Sequence, residues 1–152
     1  MPRVIGSENL KKDVWFKFIR ELLEKRVSND PEAKPVFQDI GEMTFQFVFN
    51  DRKDLSYWQE YDGEKITVHE GLISTQEGRD PTVLAVTDLN IYILTTSGDI
   101  STVQATAEEL YEISGDQEKL FKSANILPFV YRAFKDMEEE NLLPFKIERE
   151  EI

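Results

Sequence analysis

Residues 87–117 carry the most regularly punctuated pattern in this 152-residue chain, with two Gly-Asp pairs separating apolar segments. The apolar run after Asp88 leaves almost no polar side, which predicts a buried helix capped by that carboxylate. Gly98 predicts the end of this helix, because glycine readily takes the positive φ of a helix C-terminus. Ser101 predicts the cap of a second short helix. An alternating segment then predicts a strand that ends at Gly115-Asp116, where a further helix begins.

Four more strands are predicted upstream, from alternation of apolar and polar residues. Met43 to Asn50 is the clearest case, because three phenylalanines occupy alternate positions. Asp62-Gly63 lies between two alternating runs and predicts a hairpin turn. We therefore expect an α+β fold with a five-stranded, mostly antiparallel sheet, covered on one face by helices. The predicted strands cover residues 43–50, 55–61, 66–68, 82–86 and 111–114.

A long amphipathic helix is predicted near the N-terminus, because apolar residues from Leu10 to Leu22 recur every fourth position after a possible cap at Ser7. Two helices are also predicted after the last strand. We expect the acidic tail that follows them to be loosely held, with docking through Leu142, Leu143 and Phe145 as the alternative. The predicted single domain, residues 1–152, thus comprises the N-terminal helix 8–27, the sheet and helices of 37–141, and the acidic tail 142–152.

Composition excludes several classes of function. The formal net charge of −12 disfavours nucleic-acid partners, since phosphates must be met by Lys and Arg. The absence of cysteine excludes thiolate metal sites, and the single histidine, His69, nearly excludes a metal cluster or catalytic triad built on histidine. We expect His69 to be an exposed strand residue. No apolar run approaches the length of a transmembrane helix, and residues 1–12 lack the apolar core of a signal peptide, so we expect a cytoplasmic protein.

The pattern from Asp88 to Asp116 resembles that of the sterol carrier protein 2 (SCP-2) family. Members of that family carry an apolar helix after an acidic residue, a glycine, a short helix, a strand, and then Gly-Asp or Gly-Asn before another helix. The likeness extends from about Met43 to about Met137, roughly two-thirds of the chain. It implies an SCP-2-like fold in which the sheet and helices enclose a hydrophobic tunnel for a sterol, a fatty acid or a fatty acyl chain.

The resemblance also implies which residues line such a tunnel. They are the inward residues of the first and last strands, and the apolar residues of the helices in and after the Thr87–Gln117 unit. By position in this sequence, the implied ligand-binding residues are Phe45, Phe47, Phe49, Ile91, Leu94, Val103, Tyr111, Ile113, Leu120, Phe121 and Ala124.

Three functional hypotheses follow. The first is a lipid-binding carrier that holds a long-chain lipid or fatty acyl ligand, needs no cofactor and catalyses nothing. The second is an interaction or dimerisation module, a possible homodimer, with the same fold and a filled core. Periodicity alone favours the filled core, and the ten phenylalanines, the acidic tail and an exposed-looking Trp58 motivate this alternative. An enzyme acting alone is the third hypothesis, for which the sequence offers no reactive constellation.

Overall fold

A computed structural model describes residues 1–150, in which the strands are β1 (Arg3–Ile5), β2 (Glu42–Phe49), β3 (Tyr57–Asp62), β4 (Ile66–Glu70), β5 (Val83–Thr87), β6 (Tyr111–Gly115) and β7 (Lys146–Glu148). Five of them form the main sheet, in the order β4-β3-β2-β5-β6. β2 pairs with β5 in parallel, and the other neighbouring strands are antiparallel. The predicted α+β fold with a mostly antiparallel sheet is confirmed.

The α-helices in these residues are α1 (Lys12–Arg20), α2 (Lys34–Ile40), α3 (Ile73–Glu77), α4 (Leu89–Ser97), α5 (Thr102–Ala107), α6 (Gln117–Ala124) and α7 (Leu127–Glu139). Cross-strand register places Phe45, Phe47 and Phe49 on one face of the sheet, because side chains alternate along a strand. Tyr92 of α4 packs on that face, with its ring centroid 4.9 Å from that of Phe47. This face is therefore the one that the helices cover.

The N-terminal helix begins later than predicted and changes its geometry. A 3-10 turn, Ser7–Asn9, is followed by extended backbone at Leu10, and Ser7 donates its hydroxyl hydrogen bond to Asn90 instead of capping a helix. Beyond α1, residues Glu21–Val27 form a π-helical segment. This wider turn keeps Val27 on the same buried side as Leu22, five residues earlier, as the i→i+5 spacing requires.

The π-helical segment also protects the edge strand β4. The Glu24 carboxylate accepts a hydrogen bond of 2.7 Å from the Val68 N–H, and the Ser28 hydroxyl accepts one of 3.0 Å from the Ile66 N–H. An edge strand with open N–H groups is a template for pairing with another chain. These two side chains therefore satisfy backbone N–H groups of β4 that another chain could otherwise pair with.

The chain termini form a small sheet that the sequence pattern does not reveal. β1 and β7 pair antiparallel, with Val4 opposite Ile147. Phe145, just before β7, packs edge-on against Phe18 at 5.3 Å between ring centroids. The tail is therefore not loosely held in this segment, and docking through Phe145, the alternative to a loosely held tail, is what the structure has. Residues 151–152 of the predicted tail lie outside the described residues.

The helix ends and caps within residues 87–117 are largely as predicted. Gly98 ends α4 with a φ of +86°, and a Cβ there would lie 3.2 Å from the Tyr131 ring. Ser101 and Asp116 cap α5 and α6 through side-chain hydrogen bonds to backbone N–H groups. Asp88 precedes α4 but makes no capping bond. The Asp51 carboxylate takes that role, accepting a 3.0 Å hydrogen bond from the Leu89 N–H.

The opposite face of the sheet is partly covered by α3, which lies between the predicted strands 66–68 and 82–86. Trp58 is 1% exposed there, and its indole N–H donates to the Gln76 side chain at 3.0 Å. His69 stacks on Trp58 at 3.9 Å between centroids and forms a 2.9 Å hydrogen bond with Glu60. Trp58 is thus buried, not exposed, and His69 is half-buried instead of exposed.

None of the helices in residues 1–150 combines the length and the apolar character needed to cross a bilayer.

An apolar cavity as the candidate functional site

A cavity of about 680 Å³ lies between the covered face of the sheet and the helices. Its floor is formed by side chains of β2, β3 and β6, and its sides by α4, α5, α6 and α7. Pockets of 300–1,000 Å³ are the usual size for small-molecule ligands. The α+β core is therefore not completely filled.

Eight of the eleven residues implied by the SCP-2 resemblance lie in the wall of this cavity. Strand parity placed four of them on the inner face, and the helices after Gly98 supply the others. The eight are Phe45, Phe47, Val103, Tyr111, Ile113, Leu120, Phe121 and Ala124.

The other three implied residues lie away from the cavity. Phe49 and Leu94 are buried in the closed core, and Ile91 is half-buried against it. The Trp15 ring from α1 packs edge-on against Phe49 at 5.9 Å between centroids, and Tyr92 lies 5.1 Å from it. The Phe49 end of β2 is therefore filled by aromatic rings, and the space remains at the Phe45 end.

The helical side of the cavity is open to solvent. Val103 of α5 is 81% exposed and Phe121 of α6 is 72% exposed, although both belong to the cavity wall. Single exposed apolar residues are common on protein surfaces, but these two belong to the wall of the same cavity. We call the two residues the rim; they offer an apolar ligand a route between solvent and the interior.

The structure adds inner-wall residues that sequence reasoning missed. Leu23 reaches the cavity from the π-helical segment, and Val130 reaches it from α7. Val130 recurs at helical spacing with Ala133, Phe134 and Met137, so the periodicity of the last helix was a usable signal. Leu23 gave no such signal, because Leu22 beside it in the sequence is equally buried but does not line the cavity.

A hydrogen-bonded chain of neutral side chains forms the buried end of the cavity. Tyr61 donates its hydroxyl to the Gln59 side-chain oxygen at 2.7 Å, and the Gln59 amide donates to the Tyr57 hydroxyl at 3.0 Å. Tyr57 in turn shares a hydrogen bond with Tyr92. Burial raises the pKa of Tyr92 to about 12 and raises those of Tyr57 and Tyr61 well above the ordinary value. All three hydroxyls are therefore protonated and uncharged near neutral pH.

No charged residue occurs among the described residues that line this cavity, although 32% of the chain is charged. A second depression, of similar volume, follows the surface of α1 and differs in character. Its wall is mostly charged, and it includes the ion pair of Arg20 with Glu70 at 2.9 Å. An apolar ligand is therefore better matched by the cavity beneath the helices than by the surface depression.

Within the described part of the chain, no group of three acidic or histidine side chains is placed to hold a metal ion. Two of the three glutamates at 138–140 are engaged in ion pairs: Glu138 pairs with Arg149, and Glu140 pairs with Arg26. The cavity wall itself holds hydroxyl, amide and apolar groups. The arrangement is thus suited to holding a ligand by burial and hydrogen bonding.

The sheet order, the helices that cover one face and the cavity between them define this chain as a domain of the sterol carrier protein 2 fold. Solved structures support that assignment. The chain is similar to the ubiquinone synthesis protein UbiJ-SCP2, with a TM-score of 0.61 at 10% identity, covering 82% of this chain and 94% of that one. It is also similar to the sterol carrier protein domain 2 of Helicoverpa armigera, with a TM-score of 0.58 at 17% identity, covering 78% and 89%.

A third similar structure is the sec-alkylsulfatase Pisa1 from Pseudomonas sp., with a TM-score of 0.56 at 15% identity. The match covers 81% of this chain but 17% of the sulfatase, so the fold also occurs as part of a larger enzyme. Neither the family models nor the curated protein sequences match this chain. The structural likenesses show the fold and confirm the resemblance at that level.

Proposed function

We propose that this chain is a lipid-binding carrier that holds a long apolar ligand non-covalently in the cavity and catalyses no reaction on it. The observation that carries the proposal is the 680 Å³ cavity itself, with an uncharged wall and an exposed apolar rim. A core that merely stabilises the fold gains by being filled, since an empty space forfeits packing. An open, apolar space is therefore better explained by an occupant.

The energetic scale suits a lipid. Each CH₂ group removed from water contributes about 0.8 kcal/mol, so a sixteen-carbon chain gains roughly 10 kcal/mol before the costs of ordering and association. The proposed contacts are the eight implied residues in the wall, with Phe45 and Ile113 on the sheet and Phe121 at the rim. A fatty acyl chain or another extended lipid, carried in the cytoplasm, fits this proposal.

Native mass spectrometry of the purified protein, together with lipid extraction, tests it. We expect a co-purifying or added long-chain lipid at up to one copy per chain. Ile113→Trp should reduce this occupancy, because the larger ring would project from β6 into the cavity. Val86→Trp is the matched control, since Val86 is also half-buried but lies on the opposite face of neighbouring β5.

The carrier proposal is abandoned if neither endogenous nor added lipid binds above background. It is also abandoned if the two tryptophan variants lose occupancy equally, because the binding site would then lie outside the cavity. The alternative interaction module has a filled core and was motivated in part by an exposed-looking Trp58; the cavity and the 1% exposure of Trp58 weigh against it. The homodimer stays a prediction, to be tested by light scattering.

A further inference from the structure

The buried end of the cavity holds a hydrogen-bond donor that the protein leaves unused. Gln59 is 6% exposed and lies in the cavity wall. A side-chain amide has two N–H groups. One donates to the Tyr57 hydroxyl at 3.0 Å, and no acceptor for the other occurs among the described residues. The Gln59 side-chain oxygen accepts a hydrogen bond from the Tyr61 hydroxyl at 2.7 Å, and the amide nitrogen lies on the Tyr57 side.

The charge of the surroundings selects against an anionic partner for this donor. The cavity wall contains no Lys, Arg or His among the residues described, and burying an unpaired carboxylate is strongly unfavourable. The segment 101–124, which supplies α5, α6 and the rim, carries five acidic and two basic residues. Both lysines are engaged: Lys119 donates to the Ile40 carbonyl at 2.6 Å, and Lys122 pairs with Glu118 at 3.4 Å. The entrance is therefore net negative as well.

We infer that the ligand is an uncharged lipid with a hydroxyl or carbonyl oxygen at one end, and that this oxygen accepts a hydrogen bond from the free N–H of Gln59. The inference rests on the proposed lipid-binding function and specifies its ligand class. The polar end enters first, and the hydrocarbon chain extends past Phe45 and Ile113 to the rim. Tyr61 acts as a positioning residue, because its hydroxyl holds the Gln59 carbonyl and thereby points the amide nitrogen.

The test compares three probes of equal chain length: 1-hexadecanol, hexadecane and palmitate at pH 8, delivered from cyclodextrin and measured by calorimetry with delipidated protein. We expect the dissociation constant of hexadecanol to be the lowest of the three. Gln59→Leu should raise the dissociation constant of hexadecanol about tenfold, the typical effect of one hydrogen bond, and change that of hexadecane less than about twofold.

Two further variants keep the test interpretable if Gln59→Leu does not fold. Tyr61→Phe retains the shape of the wall and should raise the dissociation constant of hexadecanol alone. Gln104→Leu is the matched control, because Gln104 is exposed on α5 outside the cavity wall and its side-chain amide donates to Glu108 at 3.3 Å. It should leave the ratio between hexadecanol and hexadecane unchanged.

The outcomes separate this inference from the proposed function. If all three probes bind but palmitate binds as tightly as hexadecanol, the inference is overturned and the carrier function stands. The same holds if Gln59→Leu and Tyr61→Phe leave the hexadecanol-to-hexadecane ratio unchanged. If none of the probes binds, the proposed function fails, and the inference fails with it.

Discussion

Phe45 and Phe49 lie on the same strand and the same face, yet only Phe45 borders the cavity, so alanine substitutions at the two sites should differ. Phe49 is fully buried and lies between the Trp15 and Tyr92 rings. Phe49→Ala leaves a closed void in that cluster. We expect the free energy of unfolding to fall by about 4 kcal/mol, within the usual range for buried phenylalanine.

Phe45→Ala should cost less. The Phe45 ring stacks on Phe47 at 4.5 Å, but part of its surface already faces open space. Its removal enlarges an existing cavity instead of creating a closed one, so the loss is mainly the transfer free energy of the ring, about 2 kcal/mol. The predicted difference between the two variants is therefore about 2 kcal/mol.

Urea unfolding of delipidated protein, followed by circular dichroism, measures both values. The denaturant dependence should be the same for both variants, which shows that the midpoint shift reports stability. Equal losses of 3 kcal/mol or more would refute the reasoning, because Phe45 would then be packed on all sides. A calorimetric titration adds a second readout: Phe45→Ala should weaken hexadecanol binding, and Phe49→Ala should not.

Three further predictions concern the rest of the fold. Phe145→Ala should lower the free energy of unfolding by about 3 kcal/mol in urea, whereas a loosely held tail would give no change. Arg149→Ala should cost about 1 kcal/mol near pH 7 after solvent screening. Burial alone would raise the pKa of Asp99, but hydrogen bonds from Arg149 and a neighbouring serine lower it below the ordinary 3.8. The Arg149 effect should therefore weaken as pH falls from 3.8 through this lowered pKa, and an effect that does not change on acidification would contradict this. Because burial raises the pKa values of Tyr57 and Tyr92 above the ordinary 10, ionisation of the unfolded chain should reduce stability as pH rises above 10, and Tyr57→Phe should lessen that slope in urea titrations.

The sequence predicted the main sheet well, because the signals for strands are local. Alternation identified the strand containing Phe45, and Asp62-Gly63 identified the following hairpin, where the Asp62 carboxylate accepts hydrogen bonds from two backbone N–H groups of the turn. The caps at Ser101 and Asp116 were equally predictable, since each depends on a residue three positions away. These features need no knowledge of the rest of the chain.

The features that were missed depend on distant residues. Phe49 has the same parity as Phe45, and only the arrival of Trp15 from α1 fills the space above it. Trp58 looked exposed because its strand parity points away from the core, but α3 covers it. The pairing of β1 with β7 joins segments more than 140 residues apart, and three-residue strands carry too little periodicity to detect.

The candidate site was predictable to the extent that strand parity and the family resemblance define an inner face. The polar end of the cavity was not predictable. Gln59 and Tyr61 were recognised as alternating strand residues, but the sequence did not indicate that they join Tyr57 and Tyr92 in one hydrogen-bonded chain. Tyr92 comes from a different element, so this chain exists only once α4 packs on the sheet.

The central claim is that the cavity between sheet and helices is where the lipid is held. A crystal structure of the protein loaded with 16-bromo-1-hexadecanol tests it most directly, because the anomalous signal of bromine locates the end of the chain. The account predicts a bromine peak near the rim formed by Val103 and Phe121, with the hydroxyl end at Gln59. A bromine peak in the depression along α1, or anywhere else outside the cavity, would contradict it.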